Sequence, residues 1–301
     1  VSCRPVPRAA ALARVRDRGT ANRTAAHLLT TLALVEGVRD PVGMVEPIVH
    51  RRGEDEALFG GRIVLKSALP ELTITESVFP DARPGAAPHR HREHADAFYV
   101  LEGRLGFLVD AEEHELGPGG FVYAPPGVVH GFRSLSPARF LNVHTPDGGF
   151  AAALRERDRG GPGVFDSVDA EPGSGLPATE AILLDAGAGE ALRANHRVAT
   201  VKVGSDHLSL IELSLEPGFG GPTPHAHDDH TDCFYVLDGT AVLLVDGRRV
   251  VAEAGTFVAA PPGVEHTFTS GPAGARVLNI HAPGVGFADR LREMSVAAAP
   301  R

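Results

Sequence analysis

The chain has 301 residues, 43% apolar and 22% charged, with a formal net charge of −9. That length suits one large or two ordinary globular domains. The acidic balance, with no Lys/Arg run, argues against a nucleic-acid surface. Gly (35) and Pro (24) are abundant and Trp is absent, which suits many turns and short strands better than long helices.

Residues 1–43 are rich in Ala and Arg and have no counterpart later in the chain. The chain opens with Val, and Met44 stands two residues before a repeat begins. Segment 1–43 is therefore expected to be either a mis-assigned start or a disordered or helical arm. Its stretch AHLLTTLALVEG (26–37) follows several arginines like a secretory signal, but His27 and two threonines interrupt it and no small-x-small cleavage site follows. No apolar run reaches the roughly 20 residues of a membrane helix. The two cysteines, Cys3 and Cys233, form no CxxC, so no disulfide framework is expected and a cytoplasmic location is. Cys233 reads as a strand residue facing away from Asp232.

From about residue 46 the chain is two copies of one unit. HRHREHADAFYVLEG (89–103) aligns with HAHDDHTDCFYVLDG (225–239) at an offset of 136, and GFVYAPPGVVHGF (120–132) with TFVAAPPGVEHTF (256–268). After one inserted residue, FLNVHTPDGGF (140–150) meets VLNIHAPGVGF (277–287). The expected organisation is an extension over 1–43, a first domain over 44–160, a Gly/Pro/acid-rich linker over 161–179 in which Phe165 and Val168 still pack, and a second domain over 180–301.

Within each copy, short alternating or β-branched runs such as RIVLKSA and ELTITESVF alternate with turn signals, which predicts an all-β sandwich or barrel. YVLEGRLGFLVD and YVLDGTAVLLVDG predict hairpins at EG and DG. GFAAALRERD and GFADRLREMSV, each at a copy's end, predict short amphipathic helices covering a sheet edge or an open end.

His89 and His91, two apart on a strand, share a face. Asp96 lies five residues beyond His91 and points inward with Phe98 and Val100; an isolated buried carboxylate would cost several kcal/mol, which a cation removes. His130 follows the PPG turn that fixes the chain's direction. His225, His227, Asp232 and His266 repeat the set. Imidazoles with one carboxylate suit Fe, Mn, Co, Ni, Cu or Zn, one divalent ion per domain. His94 and His230 are alternative ligands. Asn142 and His144, repeated as Asn279 and His281, read first as strand-end structure and second as a pocket wall.

These stretches resemble the cupin superfamily, whose first motif has the form G-x5-H-x-H-x(3,4)-E-x6-G and whose second has G-x5-P-x-G-x2-H-x3-N. His89, His91 and Asp96 fall on the first motif's ligand positions, and Gly119, Pro125, Gly127 and His130 on the second. In copy two the matches are His225, His227, Asp232, then Gly255, Pro261, Gly263 and His266. Asp stands for the family's Glu in both copies, one methylene or roughly 1.3 Å shorter, and Ser134 and Ser270 replace the final Asn.

The resemblance implies two tandem double-stranded β-helix (jelly-roll) barrels with short C-terminal helices, a bicupin similar to the quercetin dioxygenase-like group. It implies a metal-dependent oxygenase on a small aromatic or enol substrate, with Asp96 or Asp232 doubling as catalytic base. Two alternatives stand beside it. One is a metal-dependent decarboxylase or isomerase using Arg90, Arg92 and Arg104. The other is a non-catalytic binding or storage protein, the reading that Phe132 and Phe268 would favour by plugging the pockets. The expected partners are a small-molecule substrate and, through sheet edges that pair between subunits in this class, further copies of the chain, but neither nucleic acid nor membrane.

Overall fold

A computed structural model describes residues 46–297, so segment 1–43 lies outside the described residues. Two antiparallel sheets make up the first copy. The larger runs, in spatial order, through Ile182–Leu184, Phe121–Ala124, Ala95–Glu102, Ala138–Thr145, Leu72–Phe79, Ile63–Leu69 and Glu56–Leu58. The smaller is built on Leu105–Val109 and His130–Ser134, with His89–Arg90 alongside. The side chains of Phe98, Val100, Leu105, Phe107, Val122 and Phe140 fill the space between the sheets.

The second copy follows the same path, but its halves merge into one eight-stranded sheet. Thr231–Val245 and His266–Ala282 run unbroken through both halves, bending at β-bulges after Val236 and Gly239. In copy one the same turn of the chain falls at Gly103, with φ +75°, where a Cβ would collide with the Pro137 carbonyl. Gly239, with φ +71°, meets the Gly274 carbonyl in the same way. Only glycine fits these crossings.

The expected hairpins at EG and DG therefore do not form there. Ala95–Glu102 pairs with the strands at 121–124 and 138–145, whereas Leu105–Val109 pairs with those at 112–116 and 130–134. The Gly marks a step from one sheet to the other. The true hairpins lie one strand later, at Asp110–Ala111 and at Asp246–Gly247, where Asp110, Asp246 and Gly247 all have positive φ.

Two features join the copies. Each lends the other an edge strand: Ile48–His50 pairs with Phe257–Ala260, and Ile182–Leu184 pairs with Phe121–Ala124. The outward faces of the large sheets also pack on each other. Ala95, Ala97, Tyr99, Phe121 and Leu141 of copy one share one buried cluster with Cys233, Tyr235, Phe257, Leu278 and Ile280 of copy two. Cys233 thus faces away from Asp232, as strand alternation predicts. Among the described residues no helix is long and apolar enough to cross a membrane. The two expected helices form as α1 (Phe150–Asp158) and α2 (Phe287–Ala297).

A pair of buried ionic clusters flanks this shared core. Glu76 receives Lys66 at 3.4 Å, Arg139 at 2.9 Å and the hydroxyl of Tyr235, from the other copy, at 2.9 Å. Glu212 repeats the arrangement with Lys202 at 3.4 Å, Arg276 at 2.6 Å and Tyr99 at 3.0 Å. Burial pushes both carboxyls up, but the arginine hydrogen bonds and lysine charges outweigh it and hold them below the ordinary glutamate value. A depressed folded pKa stabilises the protein above the unfolded value, about 4.3, and that stability is lost as pH falls through the folded value. Removing one partner of a buried ion pair costs about 3–5 kcal/mol. Glu76→Gln or Glu212→Gln is expected to lower the urea-unfolding free energy by that amount at pH 7, with the deficit narrowing below about pH 4.3 as the wild-type carboxylates protonate. Unfolding curves collected between pH 3 and 7 check both statements.

Candidate metal centres

Each copy gathers its four predicted ligands from two places. His89 and His91 come from the entry to the long strand, Asp96 from its inward face, and His130 from the strand after the PPG turn. The turn is tied to the first motif directly, because the Gly127 amide donates to the His91 carbonyl at 2.8 Å. Gly263 donates to the His227 carbonyl at 2.7 Å in the same way. Nitrogen or oxygen atoms of His89, His91, Asp96 and His130, all buried, lie within 4.8 Å of one another. In copy two His225, His227 and His266 form the corresponding group. Asp232 approaches His266 at 3.1 Å and His227 at 3.8 Å, but its oxygens do not come within that distance of all three imidazoles.

The imidazoles are oriented by backbone carbonyls. Nδ1 of His89 meets Ala87 O at 2.8 Å, Nδ1 of His91 meets Asp166 O at 2.5 Å, and Nδ1 of His130 meets Val128 O at 3.0 Å. In copy two, His225 and His266 make the matching contacts to Thr223 O and Val264 O. A carbonyl accepting from Nδ1–H places the lone pair on Nε2, the tautomer a metal requires. The Nε2 of His91 is buried without a hydrogen-bond partner. That orphaned acceptor and the converging carboxylate suit a divalent transition ion.

Burial pulls His89 down to about 4 and lowers His225, which keeps both neutral and able to donate a lone pair near pH 7. Burial also lowers His266, but its hydrogen bond to Asp232 and that carboxylate's charge prevail and raise it. Asp96 and Asp232 are fully buried, yet nearby imidazoles, His144 and His281 foremost, hold their carboxyls well below the usual range.

The alternative ligands His94 and His230 form a second group beside the first, sharing His91 and His227 with it. Both His94 nitrogens are engaged, Nδ1 with Asp166 Oδ2 at 3.2 Å and Nε2 with His144 Nδ1 at 3.0 Å. His94 stacks on His91 at 3.8 Å and forms with His91 and His144 a second close group, repeated by His227, His230 and His281. Asn142 and His144 are not merely strand-end structure. Asn142 Nδ2 donates to Asp96 Oδ1, and its Oδ1 lies 2.9 Å from His144 Nε2. Asn279 and His281 repeat both contacts. His144 and His281 in turn stack on Phe150 and Phe287, the first residues of α1 and α2. The helices thus close the ends of the sites through an aromatic ring, as the sequence suggests.

The linker is part of copy one's site. Val168–Asp169 pairs with His89–Arg90, and Phe165 lies over His91 and His144, with centroids at 5.8 and 6.0 Å. Of the arginines expected near that site, Arg90 donates to Ser174 O and Arg104 pairs with exposed Glu115. In copy two a cavity of about 440 Å³ reaches His225, His227 and Asp232 and is lined by Phe219, Phe268 and Phe287. Arg197 also lines it. Nothing in its local sequence singled it out.

A model of the cupin domain matches residues 77–144 and 211–281. The chain is 23% identical over 283 residues to quercetin 2,3-dioxygenase of Bacillus subtilis (strain 168), covering 79% of this chain and 83% of that protein. Among solved structures, the oxalate decarboxylase of Bacillus subtilis superposes with a TM-score of 0.53 at 15% identity, over 80% of this chain and 77% of the other. A variant of the salicylate 1,2-dioxygenase of Pseudoaminobacter salicylatoxidans gives 0.52 at 15% identity, covering 74% and 73%.

Side chains that orient metal ligands typically change metal affinity 10–100-fold when removed. Asn142→Leu and Asn279→Leu are each expected to weaken the metal held in their own copy by about that factor while leaving the other copy's unchanged. Competition against a chelating dye, which resolves one weakened equivalent from two, checks this.

Proposed function

Because the chain is a bicupin, two cupin domains in tandem, we propose that it is a metal-dependent oxygenase acting on a small aromatic or enol substrate. One observation carries the reading: three imidazoles with Nε2 turned inward beside a buried carboxylate, opening in copy two onto a cavity walled by phenylalanines. In this reading His89, His91, Asp96 and His130 hold one divalent ion, and His225, His227, Asp232 and His266 hold the other. When bound, such an ion supplies a Lewis acid with open positions for a substrate oxygen and dioxygen.

The chain's own groups do the rest. The carbonyl-bound Nδ1 atoms keep the imidazole planes fixed, so the donor set is organised before anything enters. Asn279 holds Oδ1 of Asp232, and Oδ2, 3.1 Å from His266 Nε2, is the oxygen on the imidazole side that would exchange that contact for the proton of a bound enol or phenol. That makes Asp232, and Asp96 in copy one, the candidate base. Phenylalanine walls exclude bulk water and offer faces for a planar ring. The similarity to quercetin 2,3-dioxygenase supports the oxygenase class over the alternatives. Of the three arginines the decarboxylase reading uses, Arg90 and Arg104 are occupied by Ser174 and Glu115, and Arg92 is exposed.

The test is oxygen consumption by the metal-loaded protein with flavonols, catechols and salicylates. Uptake is expected in air and is expected to fall at least 100-fold in His225→Ala, on the order of losing a metal ligand. Product formed at an undiminished rate under argon would overturn the proposal.

A further inference from the structure

The two copies carry the same ligand residues but fill their interiors differently. In copy one Phe79, Phe98, Phe107, Phe132 and Phe140 form one aromatic cluster, with neighbouring centroids 5.2 to 6.3 Å apart. The strand registers place Leu215, Phe234, Leu243, Phe268 and Val277 at the same positions of copy two. Three rings have become smaller aliphatic groups, and copy two also holds the 440 Å³ cavity, walled by Leu213, Phe219, Phe268 and Leu291. In copy one all four candidate ligands are buried and Phe165 lies over His91. In copy two His225 is only half-buried and faces the cavity.

The same cavity contains an unmatched positive charge. Other arginines near the copies' cores are paired: Arg139 with Glu76, Arg276 with Glu212, Arg155 with Glu56. Arg197 forms no ion pair among the described residues, and its Nε is buried without a hydrogen-bond partner. Ala199 pairs with Leu213 as Ile63 pairs with Ser77, so the residue of copy one that corresponds to Arg197 is Gly61. The guanidinium is therefore particular to the copy that has the cavity. A half-buried guanidinium with an unused fork is a site for a carboxylate, which it binds through two parallel hydrogen bonds.

We propose that copy two alone accepts substrate and that the substrate is an aromatic carboxylate, its anionic group held by Arg197 and its ring between Phe219, Phe268 and Phe287, beside His225. Copy one, with all four candidate ligands buried, serves the fold and not the substrate. This deepens the oxygenase reading and rests on it for the chemistry after binding, whereas the binding itself is measured separately.

The experiment is calorimetric titration of the full-length, metal-analysed protein with salicylate and with its uncharged analogue salicylamide. Salicylate is expected to bind at least 10-fold more tightly. Arg197→Gln is expected to remove that preference by weakening salicylate about 10–100-fold with salicylamide little changed, as for loss of a charged hydrogen bond, and Arg197→Lys to restore part of it. Leu213→Phe, which fills the cavity from its own wall, is expected to abolish binding of both probes with the metal content and the unfolding midpoint retained. Equal affinity for the two probes, no binding of either at millimolar concentration, or binding that survives Leu213→Phe would overturn the proposal. Salicylate binding that tracks these variants without any oxygen uptake would uphold the site and sink the oxygenase reading.

Discussion

The structure depends on one constraint: the strand Ala95–Glu102 and its counterpart Thr231–Val245 are buried on both faces over their first six residues. A strand alternates its side chains, so burying both faces forces each residue to serve one of two interiors. Ala95, Ala97 and Tyr99 go to the core shared by the copies, and Phe98 and Val100 to the barrel of copy one. Asp96 has no third place to go. Its carboxylate is delivered to the inside of the barrel, where it stays charged only because imidazoles and the Asn142 amide surround it. The candidate metal centre is thus a consequence of how the two copies pack, and the carboxylate could not be relieved by turning outward.

The same constraint explains why the two halves cannot drift apart freely. The shared core is near-symmetric, and each copy presents to the other what the other presents back. Tyr99 serves Glu212 while Tyr235 serves Glu76. The exchanged strands at 48–50 and 182–184 carry the exchange into the backbone. A change on this face must fit a partner that is a relative of itself. A change on the barrel face has to satisfy only its own copy.

Much of this was legible in the sequence because it is written twice. The 136-residue offset exposed the histidines, the aspartates and the PPG turns, and strand alternation alone aimed Asp96 inward and Cys233 outward. The ionic clusters were equally open to the offset, since Lys66, Glu76 and Tyr99 recur as Lys202, Glu212 and Tyr235, but nothing local marks a lysine as buried. The hairpins were misplaced because a glycine with positive φ serves a sheet crossing as well as a turn, and the local sequence does not distinguish them. Asn142 and His144 looked like strand-end residues because their partners are 46 and 50 positions away. The part Phe165 and Asp166 play at the first site depends on where a linker folds back, which composition does not encode.

What a duplicated ligand set leaves undecided is which copy works, and the packing bears on that. Ligand positions are held by the shared core and by carbonyls of the turns, so they persist whether or not anything binds. Volume is not held in this way. Phe79, Phe107 and Phe140 against Leu215, Leu243 and Val277 are changes on the unconstrained side of the strands, and copy two also keeps a cavity open at His225. An unpaired guanidinium beside that space is costly unless something arrives to pair with it. Buried ligands in one copy, with space and an unmatched charge in the other, are how a pair of similar sites comes to divide into one that supports the fold and one that receives a ligand.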